Sequence, residues 1–95
     1  MSRAMLNGVT LAESDDTVVV EGNHYFPPGS VNREPFRESA TITHCPWKGD
    51  ASYLSAEADG TSVEDAAWYY SEPMEAAENI RDHVAFYGNK VEVAG

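Results

Sequence analysis

Turn-forming residues interrupt this chain so often that long helices have almost nowhere to form. Ser14-Asp15-Asp16, Gly22-Asn23, Pro27-Pro28, Pro46 to Gly49, the 57–60 stretch and Gly88-Asn89 break up its sequence. Over much of the length they recur at roughly eight-to-twelve-residue spacing, the rhythm of a compact antiparallel β domain. The segments between them read as strands: 9–13, the β-branched run 17–21, 24–26, 40–44, 51–56 and 63–70. Residues 84–87 and 90–93 read as a last hairpin around Gly88-Asn89. The chain is therefore expected to be mainly β, with about seven short strands in a barrel-like or tent-like arrangement.

Two segments break the pattern. Ser30 stands as an N-cap before a short turn of helix over 31–37, which Pro35 limits. Residues 73–81 are expected to form the one good helix. Pro73 suits a first turn, Glu72, Glu75 and Glu78 favour its N-terminal side, and Ala76 and Ile80 line one narrow apolar stripe.

Ninety-five residues fit one domain, 1–95, with a single small core. Sixteen acids against six bases give a net charge of −10. Such a surface repels phosphate backbones and anionic membranes, so nucleic acid and membrane are not expected partners. No run approaches the ~20 apolar residues of a membrane span, and residues 1–8 lack the apolar stretch of a signal peptide. The single cysteine forbids an intrachain disulfide, and a reducing cytoplasmic location is expected. His24, His44, Cys45 and His83 match no metal-ligand spacing, so neither metal nor other cofactor is expected. A domain this small is expected to be a monomer or a weak homodimer.

Chemistry concentrates in a few places. Lys48 is one of only two lysines and sits in a loop between Trp47 and Gly49. A lysine there suits an anion or carbonyl oxygen, or an amine nucleophile if desolvated. Its plainer role is to pair with one of the many acids. Cys45 is a packing residue or a thiol nucleophile, with His44 and Lys48 near it in sequence to lower its pKa. Turn chemistry explains Gly22 and Asn23 but leaves Glu21 unexplained, so Glu21 is a candidate acid or base. Tyr53, Tyr87 and Trp68-Tyr69-Tyr70 are either core or a stacking platform for a ring. Trp47 is expected to anchor the 45–49 loop to the sheet.

Four stretches of the sequence stand out as a set. They are Val-Val-Val-Glu-Gly-Asn-His-Tyr-Phe-Pro (18–27), Thr-His-Cys-Pro-Trp-Lys-Gly-Asp-Ala-Ser-Tyr (43–53), Asp-Ala-Ala-Trp-Tyr-Tyr (65–70) and His-Val-Ala-Phe-Tyr (83–87). In this order and spacing the chain resembles the family catalogued as domain of unknown function 427, sometimes labelled nucleotidyltransferase-like. The resemblance spans nearly the whole chain and implies a small β-rich fold. It places emphasis on Glu21, Asn23, Tyr25, Cys45, Pro46, Trp47, Lys48, Gly49, Trp68, Tyr69 and Tyr70. A transferase of that label needs paired carboxylates for two metal ions. Here Gly29-Ser30 is followed by Glu38-Ser39-Ala40, with no second acid.

The leading expectation is a site for a small polar or anionic ligand, lined by the 45–49 loop, the Glu21 hairpin and aromatics. Its ligand-binding residues are Glu21, Asn23, Tyr25, Trp47, Lys48, Tyr53, Trp68 and Tyr70. One alternative is an enzyme, possibly a transferase, using Lys48 or Cys45 with Glu21 as acid or base. Another is a protein-interaction module that presents its tyrosines and tryptophans to a partner.

Overall fold

The computed structural model describes residues 1–95. The chain is mainly β. Nine strands, all paired antiparallel, lie in three sheets: β1 (Ser2–Leu6), β2 (Val9–Ser14), β3 (Val18–Val20), β4 (Asn23–Tyr25), β5 (Phe36–Cys45), β6 (Gly49–Ala58), β7 (Thr61–Tyr69), β8 (Val84–Phe86) and β9 (Glu92–Ala94). The largest sheet runs β5-β6-β7-β8, a second runs β2-β1-β9, and β3-β4 is a separate hairpin. The three sheets do not close into a barrel. Phe26 locks the small hairpin to β8 through two backbone bonds with Val84, of 2.8 and 2.9 Å.

Three hairpins share one kind of turn. Asn7-Gly8, Glu21-Gly22 and Asp59-Gly60 each join paired strands with two residues, and both residues of each turn have positive φ. That geometry matches the right-handed twist of the flanking strands, and it favours Asn, Asp and Gly. The second turn thus falls on Glu21-Gly22, with Asn23 already in β4, one residue earlier than Gly22-Asn23.

Alternation along the large sheet sends neighbours to opposite faces. The cross-strand pair Leu54 and Ala67 belongs to a core with Leu6, Leu11, Phe26, Val84 and Phe86. The adjacent pair Tyr53 and Trp68 belongs to a second core with Tyr25, Tyr70, Ala77 and Ile80. The second core carries the aromatic residues of the candidate site.

Several expectations change in detail. Strand β1 has no counterpart in the sequence reading. Residues 31–37 are not helical: a 3-10 turn covers Pro28–Ser30, the Ser30 hydroxyl donates back to Pro27 O at 2.7 Å, and Val31 bridges to Ala12. Bridging to an existing strand bonds Val31 without the cost of nucleating a helix that Pro35 would soon interrupt. The helix near 73–81 takes the form of 3-10 turns over Glu75–Ile80, kinked at Ala77, with Ala77 and Ile80 buried. No side chain caps its start. The segments 84–87 and 90–93 do not pair with each other. Strand β8 joins β7 while β9 crosses to β1.

Candidate functional site

Lys48 lies in the three-residue connection Pro46-Trp47-Lys48, between the paired residues Cys45 and Gly49. The chain after β7 closes the outer side of this turn. Met74 N–H donates to Lys48 O at 2.9 Å, and a side chain at Gly49 would come within 3.3 Å of Glu72 O. Gly49, with φ of 112°, lets these two backbones meet. The Lys48 side chain is left only 8% exposed.

The ammonium of Lys48 meets the carboxylate of Glu21, 27 residues away, in a hydrogen-bonded ion pair. Its nitrogen also lies 5.4 Å from the Trp47 ring centroid and 5.6 Å from that of Tyr70, within cation–π range. The pair ties the tip of the β3-β4 hairpin to the β5-β6 turn. Glu21 remains 52% exposed. One partner is therefore inside and the other is at the surface.

The charge states follow from this enclosure. Burial by itself pushes the Lys48 amine down. The Glu21 hydrogen bond, the Tyr25 and Tyr70 phenols and the Glu21 charge outweigh it and hold the amine above the ordinary lysine range. The Lys48 hydrogen bond holds Glu21 below the usual carboxylate range, with lesser help from Lys48 charge and the Trp47 indole. Burial pushes the Tyr70 phenol up, against the pull of Lys48.

Residues 1–94 match the family model described as a domain of unknown function (DUF427). The chain belongs to this family. No curated protein matches it.

In this DUF427 chain the candidate residues divide by position. Glu21, Trp47, Lys48, Tyr25 and Tyr70 converge on the ion pair. Trp68 stands one layer behind, its indole N–H donating to the Tyr25 hydroxyl at 3.1 Å with the rings edge to face. Tyr53 is further along, its hydroxyl 3.0 Å from Thr43 Oγ1 and 3.2 Å from that of Tyr87. Tyr87 links the groups, with its ring 4.6 Å from Trp68. Asn23 sits half-buried opposite Val20. Cys45 is a free, half-buried thiol at the end of β5. Tyr25, Tyr53, Trp68 and Tyr70 are all buried, so they form the floor of the site rather than an open platform. Tyr69 belongs to the opposite face, where its hydroxyl donates to Glu38 at 2.7 Å.

Trp47 differs from expectation. It is 41% exposed and acts as a partly open wall beside the ammonium, not as a core anchor. Neither Glu21 nor Lys48 lines a hollow of the surface, and the Glu21 carboxylate itself meets the amine.

The nearest hollow lies on the other side of the turn. It measures about 340 Å³ and is lined by His44, Gly49, Asp50, Ser52, Ser71, Glu72 and Met74. There His44 Nδ1 is 2.7 Å from Asp50 Oδ1, directly across the β5-β6 ladder. Alternation with Cys45 and the closeness of Asp50 in sequence could have marked this pair; the hollow depends on the chain after β7, which no local pattern predicts.

Proposed function

We propose that this DUF427 protein binds a small anionic ligand at Lys48. The observation that carries the reading is the placing of that amine: almost fully enclosed, and met by a carboxylate that is itself half in solvent. In a chain of net charge −10, it is a rare concentrated positive charge. An anion that replaces Glu21 there finds the cation already desolvated and oriented, which lowers the cost of binding.

In this reading Lys48 is the anchor, Trp47 and Tyr70 are its walls, and Tyr25 is its floor. Trp68 holds the floor by donating its indole N–H to the Tyr25 hydroxyl, Tyr53 bonds to Thr43 and Tyr87 behind it, and Asn23 belongs to the hairpin that carries Glu21. The protonated state favours fixed charge over a nucleophilic amine, since a lysine must lose its proton to attack. Calorimetric titration with sodium formate at constant ionic strength tests the reading. Saturable heat that vanishes in Lys48→Met supports it, and identical heats in the two proteins contradict it.

A further inference from the structure

The residues with positive φ other than glycine are Asn7, Glu21, Asp59, Asp65 and Asp82. Four of them are Asn or Asp, whose short polar side chains tolerate this backbone region. Glu21 is the exception, with φ of 54°. The equivalent turns at Asn7-Gly8 and Asp59-Gly60 use the residues that the geometry favours. Backbone preference therefore does not account for a glutamate at the hairpin tip, and its contact with Lys48 does.

Of the ammonium's neighbours, Glu21 and Trp47 reach solvent, and only Glu21 carries the charge that an anion would replace. Trp47 is its sequence neighbour in a turn whose Lys48 carbonyl is bonded to Met74, and Tyr70 is buried in the second core. Glu21, half-exposed on a two-residue turn, can swing away without disturbing either core.

We infer that the Glu21 side chain is a built-in placeholder for the carboxylate of the ligand, and that the ligand class is a small monocarboxylate bearing a flat ring. This inference rests on Lys48 being the anion site. The space that Glu21 fills has the size and single charge of a carboxylate. A phosphate dianion needs several converging donors; of the remaining bases Arg33 and Arg37 lie at the opposite end of β5 from Lys48, and the other three are engaged elsewhere. Lys90 donates to the Glu64 and Asp65 carbonyls, Arg3 pairs with Glu13, and Arg81 is held by Glu78 and Ser71 O. Trp47 supplies the flat surface. Its partly uncovered indole stands beside the ammonium, so a ring attached to the carboxylate lies against it. An internal carboxylate lowers the apparent affinity of an external one in proportion to how often it occupies the amine.

The test is an NMR titration with sodium benzoate and, separately, with inorganic phosphate, at neutral pH and constant ionic strength. Unaltered protein, Glu21→Gly and Lys48→Met are compared at the Lys48 side-chain and Trp47 indole signals. Glycine suits the positive φ, so Glu21→Gly removes the carboxylate while relieving the turn; Glu21→Gln is the second variant should the first not fold. Benzoate is expected to shift both signals, at about tenfold lower concentration once the placeholder is removed. It is expected to have no effect in Lys48→Met, and phosphate is expected to bind more weakly. Equal benzoate affinity with and without the Glu21 carboxylate overturns the placeholder. Phosphate binding at Lys48 as tightly as benzoate overturns the carboxylate class while the anion site stands. No response of Lys48 to either anion in any protein overturns the anion site itself.

Discussion

Glu21 and Lys48 form an ion pair in which burial is unequal, with the lysine side chain 8% exposed and the glutamate 52%. The two halves of the pair therefore respond differently to removal. Loss of Lys48 returns Glu21 to water, where it is well solvated. Loss of the Glu21 charge leaves an ammonium enclosed without its counter-ion.

The first expectation concerns this asymmetry. Lys48→Met keeps the length of the stem and changes stability by about 1 kcal/mol or less. Glu21→Gln leaves the turn strain in place and lowers the unfolding midpoint by more than Lys48→Met does. Denaturant titration of the three proteins checks the order, and a larger loss for Lys48→Met would mean that the lysine stem is chiefly a packing element.

Acid should erase the contribution of the pair. Glu21 is held below its ordinary value of 4.5, so its stabilisation is present above that pH and is lost as pH falls through the lower folded value. Lys48 is held above 10.5, so its contribution is present below that pH and fades only as pH rises through the raised folded value. The pair thus stabilises a broad plateau between these limits. In thermal unfolding across the acid limb, unaltered protein is expected to lose its lead over Lys48→Met as Glu21 protonates and then to fall below it, because the enclosed ammonium has lost its counter-ion. A difference that persists unchanged through the acid limb would assign the effect of Lys48 to something other than Glu21.

The two tryptophans should separate sharply. Trp68 is 8% exposed and donates to the buried Tyr25 hydroxyl. Trp68→Ala is expected to cost about 3–5 kcal/mol as a core truncation. Trp47 is 41% exposed and contributes mainly a cation–π contact, so Trp47→Ala is expected to cost about 1 kcal/mol. Equal losses in chemical denaturation would place Trp47 back in the core.

Much of this was readable before the fold, for reasons that lie in particular residues. Glu21 stood out because a two-residue turn has no need of it, and Lys48 because lysine is rare in this chain and lies in a loop. The sequence brings both to one site, but not their direct ion pairing, which depends on how the β3-β4 hairpin packs on the large sheet. Strand β1 carries no strand signal in the sequence, because Ser-Arg-Ala-Met-Leu contains no β-branched or aromatic residue. Gly88-Asn89 looked like the turn of a hairpin, yet pairing with β7 and β1 bonds both flanking strands in larger sheets. The 75–80 segment carried helical signals but is too short to offset the cost of a regular helix.

Tyrosine titration offers an independent check on the aromatic layer. Burial, followed by the Tyr53 hydroxyl bond, pushes the Tyr87 phenol up to about 12. Its contribution to stability is present below the ordinary phenol value of 10 and is lost as pH rises through the folded value. Ultraviolet titration is expected to show a late-ionising tyrosine that disappears in Tyr87→Phe and moves toward 10 in Tyr53→Phe. No change in Tyr53→Phe would leave burial, with the nearby Asp65 and Tyr70, as the cause.

A native mass spectrum of the protein purified from its own cells, beside that of Lys48→Met purified in the same way, tests the account most directly. Unaltered protein is expected to carry an added mass corresponding to a small acid, and Lys48→Met is expected to lack it. The same added mass on both proteins, or none on either, would contradict a small-anion site at Lys48.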